Sequence, residues 1–356
     1  MSTKRIVILG AGESGTGAAI LAKLKGFDVF LSDRGAIKDK YKAELGSYTI
    51  SFEENKHTEA LILNADEVIK SPGIPDSAPI IRLLVEKGIP VISEIEFAAR
   101  YTKARKICIT GTNGKTTTTL LTYHLLKKAG FNVGLGGNIG ESFARQVALH
   151  SYDYYVLELS SFQLDGMFDF KAEVAILCNI TPDHLDRYEN KIENYIASKF
   201  RITRNQTPTD YFIYCTDDPL TMNSMDQFEV HAQKIPFSIQ KKLPEGAFVA
   251  DGQIFINFKN QLFTMYINEL ALVGQHNTYN SMAAAIVGQI YNLRNETIKE
   301  SLQDFENVEH RLEFVAKVGG IEFINDSKAT NVNSAWYALE CTEGPIIWIA
   351  GGQDKG

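Results

Sequence analysis

Apolar runs alternate along this chain with stretches of helical spacing, and turn residues separate the two. Arg5-Ile-Val-Ile-Leu9 leads into Gly10-x-Gly12-x-x-Gly15; an alanine-rich segment follows, then Asp28-Val-Phe-Leu-Ser32 and the acid Asp33. Strand, glycine turn, helix and a second strand ending in an acid form the pattern of a Rossmann-type βαβ unit. Further short strands, including Glu67-Val-Ile-Lys70 before Ser71-Pro-Gly73, carry the unit to Pro90-Val-Ile-Ser-Glu94. A new series begins at Lys106. Its helix is expected from Thr116, with Leu121, Leu125 and Ala129 on one face and Gly130 as the stop. Tyr154–Leu159 and Glu173–Cys178 are continuous apolar runs, which predicts a parallel sheet covered on both faces. From about residue 211 the runs shorten and alternate, as in Gly246–Asn257, which predicts an antiparallel extension closed by a helix from Asn277 to about Tyr291. After Asn307 come an expected strand Ile321–Asn325, a helix around Ser334–Leu339 and a strand Ile346–Ala350, then a glycine-rich end. Two strands and one helix bury too little for a core of their own, so this part reads as a domain cut short.

The expected class is therefore α/β in three parts. Residues 1–95 form a Rossmann-like domain and 96–308 a central, P-loop ATPase-like parallel sheet with an antiparallel extension. Residues 309–356 begin a third, Rossmann-like domain. The length of 356 residues agrees, being too great for one ordinary core. Hydrophobic residues at 44% and charged residues at 22% are proportions of a soluble globular chain. A net charge of −7, with no lysine- or arginine-rich block, argues against a general nucleic-acid binder, so anionic ligands need local pockets. Cys108, Cys178, Cys215 and Cys341 lie far apart without C-x-x-C spacing, which fits a reducing, cytoplasmic setting. Neither a signal peptide nor a membrane-length apolar run is visible, and no membrane insertion is expected.

The most specific chemical signal is Lys106-Ile-Cys-Ile-Thr-Gly-Thr-Asn-Gly-Lys-Thr-Thr-Thr-Thr119. Backbone N–H groups of Thr112, Asn113 and Gly114, with the positive end of a helix, would cradle a polyphosphate. Lys115 would reach the β/γ-phosphates and the Thr116 hydroxyl would ligate Mg²⁺; Gly111 and Thr117 complete the loop. Gly111 and Gly114 enclose two residues where the usual pattern has four, and a plain strand-to-helix turn is the alternative. Glu158 sits late in an apolar strand, where an unpaired carboxylate is costly, so a metal ion or a structural lysine should meet it. His184 by itself could be a helix-capping neighbour, and Lys199 a solvated lysine. Beside Glu158 and Thr116 at the carboxyl ends of parallel strands, His184 also reads as a metal ligand.

Several segments in order resemble the Mur ligases of peptidoglycan synthesis: Gly-Thr-Asn-Gly-Lys-Thr-Thr, Gly136-Gly-Asn-Ile-Gly140, Glu158-Leu-Ser-Ser-Phe-Gln163, Asp183-His-Leu-Asp186, Gly274-Gln-His-Asn277, His310-Arg311 and Asn325-Asp-Ser-Lys-Ala-Thr-Asn331. Ser-Ser-Phe-Gln and Asn-Asp-Ser-Lys-Ala-Thr-Asn resemble the member that adds D-glutamate to UDP-N-acetylmuramoyl-L-alanine. The resemblance implies ATP as co-substrate and two Mg²⁺ ions, one on Thr116 and Glu158, the second on Glu158, His184 and Lys199. It also implies carbamylation of Lys199, which would turn a repelled ammonium into a carboxylate-like ligand. Asn277 and Asn280 would lie on the adenine side, Asp326 at the ribose, and Arg311 and Lys328 at the phosphates, with Thr330 touching D-glutamate. Ser14, Asp33, Arg34, Ser71 and Gly73 would hold the UDP-sugar end, and Asn138, Ser160, Gln163 and His184 the reacting carboxylate. Lys115, His184, Lys199 and Lys328 form the expected catalytic set, and a monomer is expected.

The chemistry suits these parts. An amide from a carboxylate needs an activated acyl group, which ATP supplies as an acyl phosphate that the amine then attacks. Phosphoryl transfer between anions calls for dense positive charge rather than a protein nucleophile. Closure of a third domain would bring ATP and amino acid together. The alternatives are an NAD-dependent oxidoreductase, from the first glycine turn and Asp33; a truncated, inactive nucleotide-binding form; and folylpolyglutamate synthetase, which shares the ATP loop but lacks this N-terminal domain.

Overall fold

The computed structural model describes residues 3–306, 313–327, 329, 332–340 and 344–351. The chain divides into two compact units: 1–108 with 132–173 and 197–210, and 109–131 with 174–196 and 211–356. Its elements begin with β1 (Arg5–Leu9), α1 (Glu13–Leu24), β2 (Asp28–Ser32), α2 (Asp39–Ser47), β3 (Ser51–Glu53), α3 (Glu59–Ile62), β4 (Glu67–Lys70), α4 (Pro79–Glu86), β5 (Val91–Ser93) and α5 (Glu94–Ala99). β6 (Arg105–Thr110) passes from the first unit to the second and is followed by α6 (Lys115–Lys128). Then come β7 (Val133–Gly137), α7 (Phe143–Leu149), β8 (Tyr154–Glu158), α8 (Ser161–Asp165), β9 (Val174–Leu177) and α9 (Ile192–Phe200).

In the first unit β1 to β5 are all parallel, in the order β3-β2-β1-β4-β5. This is the expected doubly wound half, in which strand order reverses beside β1 and opens a crevice at the carboxyl ends. Val7, Leu9, Ile62, Val68 and Leu84 form its apolar core, each fully shielded from solvent. β7 and β8 pair in parallel within the same unit, Gly137 opposite Glu158.

The second unit adds β10 (Tyr211–Cys215), α10 (Pro219–Ser224), β11 (Gln233–Ser238), β12 (Gly246–Ala250), β13 (Gln253–Phe258), β14 (Gln261–Tyr266), α11 (Gln275–Ile290) and α12 (Asn295–Gln303). Its strands run β14-β13-β12-β11-β10-β9-β6. The antiparallel extension expected from about residue 211 begins later: β9, β10, β11 and β12 are still parallel, and only the β12–β13 and β13–β14 pairs are antiparallel. Connections explain the difference. β10 reaches β11 through α10, a crossover long enough for parallel pairing. β12 and β13 are joined by Asp251-Gly252, and β13 and β14 by Lys259-Asn260, all four at positive φ, the geometry of tight antiparallel hairpins.

After residue 312 the described elements are β15 (Glu313–Val318), β16 (Ile321–Asn325) and α13 (Val332–Glu340). β15 was not anticipated; it pairs antiparallel with β16 around Gly319-Gly320. The strand expected at Ile346–Ala350 is not formed, and Ile347 and Ile349 are about nine-tenths exposed. An apolar run becomes a strand only against a neighbour that takes its backbone hydrogen bonds. α9 ends at Phe200 and passes into a 3-10 turn at Arg201–Thr203. Among the described residues no helix is long and apolar enough to cross a membrane.

Candidate functional site

The loop between β6 and α6 is built by backbone geometry that only its sequence permits. Gly114 caps α6 with φ 81° and ψ −8°, and a Cβ there would collide with Asn280 Oδ1. Thr112 N–H donates to the Asn179 carbonyl at 2.9 Å, and Asn113 N–H donates to Asn179 Oδ1, also at 2.9 Å. Asn179 Nδ2 returns a bond to the Asn113 carbonyl at 3.0 Å. Two of the three N–H groups expected to cradle a phosphate, those of Thr112 and Asn113, are thus engaged by Asn179, just beyond β9. Lys115 Nζ folds onto the loop, donating to the carbonyls of Gly111 and Thr112 at 3.0 and 2.8 Å. The Thr112 hydroxyl accepts from Thr181 N–H at 2.9 Å, which joins the loop to the segment carrying His184. Thr116 lies part-buried in the first turn of α6, and Thr117 is buried.

A cavity of about 300 Å³ opens beside this loop, lined among others by Asn113, Gly114, Thr118, Phe237, Tyr279 and Asp326. Asn280 lines it too, its Oδ1 accepting from the Thr118 hydroxyl at 3.1 Å and its Nδ2 donating to Asn277 Oδ1 at 3.2 Å. Asn277 is thus one step behind the wall. Asp217, after β10, accepts at Oδ2 from the Tyr279 hydroxyl at 2.9 Å and Ile239 N–H at 2.8 Å, and at Oδ1 from the Ser238 hydroxyl at 2.6 Å. It thereby fixes the aromatic wall against the end of β11. Cys178 and Cys215 are buried and face the same cavity; burial pushes the Cys215 thiol up to about 12, so it stays protonated at neutral pH. Asn179, Asp217, Phe237 and Tyr279 were missed from sequence. A short polar side chain directly after an apolar strand was the available signal for the first two.

The first unit holds the other half of the expected set. Glu158, the last residue of β8, is 1% exposed. Its Oε1 accepts from Asn138 Nδ2 at 2.7 Å, and its carbonyl accepts from Asn138 N–H at 2.8 Å. Its Oε2 is buried with no hydrogen-bond partner among the described residues. Lys199, on α9, is likewise 1% exposed. Ser160 and Gln163 form the capping box of α8, the Ser160 hydroxyl accepting from Gln163 N–H and Gln163 Oε1 accepting from Ser160 N–H at 3.0 Å.

The expected UDP-sugar residues also gather at strand ends of the first unit: Ser14 after β1, Asp33 and Arg34 after β2, Ser71 and Gly73 after β4. Asp33 spends its carboxylate on the backbone, Oδ2 accepting from Ala11 N–H at 2.6 Å and Oδ1 from Gly35 N–H at 2.7 Å. Lys115, Thr116 and His184 belong to the second unit, Glu158 and Lys199 to the first. His184 sits at φ 53° ahead of a 3-10 turn, its Nε2 3.8 Å from Asp183 Oδ1. Arg311, Lys328 and Thr330, with His310 and Cys341, lie outside the described residues.

Comparison with known proteins decides what the two sets belong to. Residues 109–288 match the Mur ligase middle domain, and residues 5–79 match the MurD N-terminal domain. A UDP-N-acetylmuramoylalanine–D-glutamate ligase of Bacteroides fragilis is 58% identical over 353 residues, covering 99% of this chain and 79% of that protein. The chain belongs to the Mur ligase family. Enzymes of the same name from Christiangramia forsetii and Porphyromonas gingivalis are 58% and 56% identical, with 99% of this chain covered and 79% and 78% of theirs. Solved Mur ligases share the fold. A murein peptide ligase of Psychrobacter arcticus superposes with a TM-score of 0.62 at 21% identity, covering 95% of this chain and 75% of that one. UDP-N-acetylmuramate–alanine ligase of Thermotoga maritima gives 0.59 at 20%, covering 96% and 77%. Mur ligases are ATP-dependent, Mg²⁺-requiring amide-forming enzymes, so the first glycine turn serves a ligase and the oxidoreductase alternative falls. The buried, unspent Oε2 of Glu158 suits this Mur ligase's need for a divalent cation, since an orphaned carboxylate oxygen is costly unless a cation meets it. Among the described residues no three His, Cys, Asp or Glu side chains converge.

Proposed function

We propose that this chain catalyses ATP-dependent addition of D-glutamate to UDP-N-acetylmuramoyl-L-alanine, through an acyl phosphate on the substrate's alanyl carboxylate. The 58% identity to D-glutamate ligases over 99% of the chain carries this reading. The residue pattern supports the division into 1–95, 96–308 and 309–356, with the UDP-sugar at the glycine turn and ATP in the cavity beside the Lys115 loop. Phe237 and Tyr279 supply flat surfaces for a base. Lys115, released from the carbonyls it now satisfies, would pair with the transferring phosphate, whose charge repays the lost bonds. Asn138, Ser160 and Gln163 would orient the alanyl carboxylate.

Two Mg²⁺ ions, supplied with ATP, would neutralise charge on the moving phosphoryl group. Thr116 and Glu158 would hold the first, and Glu158, His184 and a carbamylated Lys199 the second. The burial of Lys199, at 1% exposure, supports the modification, since a side chain enclosed at that depth stands where a ligand would. Arg311, Lys328 and Asp326 would contact ATP, and Thr330 D-glutamate. A monomeric, cytoplasmic enzyme is part of the same reading. The test is ADP release with Mg²⁺, ATP and UDP-N-acetylmuramoyl-L-alanine. It should require D-glutamate and fail with L-alanine, meso-diaminopimelate or D-alanyl-D-alanine; equal rates with any of these would overturn the assignment.

A further inference from the structure

A buried acid that none of the expected roles uses lies at the start of α5. Glu94 is 2% exposed, and its Oε1 accepts from the Ser142 hydroxyl at 2.9 Å and from Ala144 N–H. Ser142 is the N-cap of α7, its Oγ accepting from Arg145 N–H at 3.2 Å. The same residue's N–H donates to Glu13 Oε1 at 3.3 Å, and Arg145 Nε donates to that oxygen at 2.8 Å. α1 comes so near α7 at this point that a Cβ on Gly17 would collide with Ser142 Oγ. All of these groups lie within the first unit.

Ser142 is four residues after Asn138, and the short loop between them is pinned at both ends. At one end Asn138 grips Glu158 through backbone and side chain. At the other, Ser142 is gripped by Glu94 and Glu13, and Gln146 of α7 donates to the carbonyls of Leu135 in β7 and Glu141 in the loop. Asn138 follows directly on Gly137, the last residue of β7, and the stretch on to Ser142 contains Gly140 at φ 68°, whose backbone freedom leaves the far end of the loop to be fixed from outside. Ser142 supplies that anchor, and among the described residues the buried acid that meets it is Glu94.

We propose that Glu94 is a positioning residue: by holding the N-terminus of α7 it fixes the Asn138 loop, and through Asn138 it aims the cation-binding oxygen of Glu158. The inference rests on the reading of Glu158 as a metal ligand. Groups behind a ligand commonly change metal affinity by about 10- to 100-fold when removed, and Glu94, acting at one remove, belongs at the lower end.

The test measures Mn²⁺ binding by electron paramagnetic resonance, with ATP present, on the full chain and three variants. Glu94→Gln keeps an acceptor for Ser142 and Ala144 and should bind within about twofold of the parent. Glu94→Ala should bind about tenfold more weakly, with the KM for ATP changed less than twofold and kcat reduced in step with cation occupancy. Ser142→Ala cuts the same link from the other side, should weaken Mn²⁺ binding in the same direction, and decides the matter if Glu94→Ala does not fold. A folded Glu94→Ala, or in its absence Ser142→Ala, with parental Mn²⁺ affinity overturns the proposal. A parent chain that binds no Mn²⁺ overturns the metal reading of Glu158 and the inference with it, whereas a parent that binds and variants that do not differ sink the inference alone.

Discussion

At the scale of single residues, two positions combine unusual geometry with a checkable cost. Gly114 has a left-handed backbone and touches Asn280 where a side chain would begin. Gly114→Ala should destabilise the protein by about 1–3 kcal/mol in denaturant titration and weaken ATP binding at least tenfold, because Asn280 must yield and the loop with it. Glu94 behaves differently. Burial, the largest cause, pushes its carboxyl from 4.5 up to about 7, against the opposing bonds from Ala144 and Ser142. The folded chain therefore keeps a proton that the unfolded chain releases between pH 4.5 and 7. Stability conferred by the protonated acid is complete below pH 4.5 and is lost as pH rises through 7, by about 3 kcal/mol in all. Glu94→Gln should flatten the stability profile across that window; an unchanged slope in urea titrations at pH 5 and 8 would contradict this.

At the scale of elements, parallel strands deliver the chemistry and short polar residues at their ends hold it. Asp218 shows how much one such residue carries. It caps α10 through Thr221 N–H at 2.9 Å and also accepts from Ile180 N–H at 3.1 Å, tying the end of β10 to the segment after β9. Asp218→Ala strands three buried donors, the Thr221 N–H and hydroxyl and the Ile180 N–H, and removes a cap, so unfolding should become easier by about 2–4 kcal/mol. Asp218→Asn, which keeps an acceptor, should lose less than half of that. The element boundaries were legible because apolar runs and glycines mark them. β1, β2 and β4 fall where the pattern put them, and α6 starts within one residue of expectation. β15 was overlooked because its half-alternating sequence gives a weak signal without its partner, and the run at Ile346 shows the converse: strong propensity with no pairing.

At the scale of the whole molecule, ligand linkage gives the most direct check. Saturation with Mg²⁺ and ATP at about one hundred times Kd should raise unfolding free energy by about 2.7 kcal/mol, and NADH should give no increase. A melting shift with NADH and none with ATP would reverse the assignment of the Lys115 loop. The glycine loop ahead of α6, its lysine, the acidic strand end at Glu158 and the order of the motifs could all be read from the chain, because each depends on residues adjacent in sequence. What the chain did not disclose depends on side chains meeting from distant segments. Asn179 takes the loop's N–H groups from 66 residues away, Asp217 braces Tyr279 across 62, and Glu94 holds Ser142 across 48. Local spacing determines which groups are available and on which strand end they stand. Only packing decides which backbone donors are already spent, which carboxylate oxygen is left over, and which buried acid keeps its proton, since each is settled by the loss of water around it.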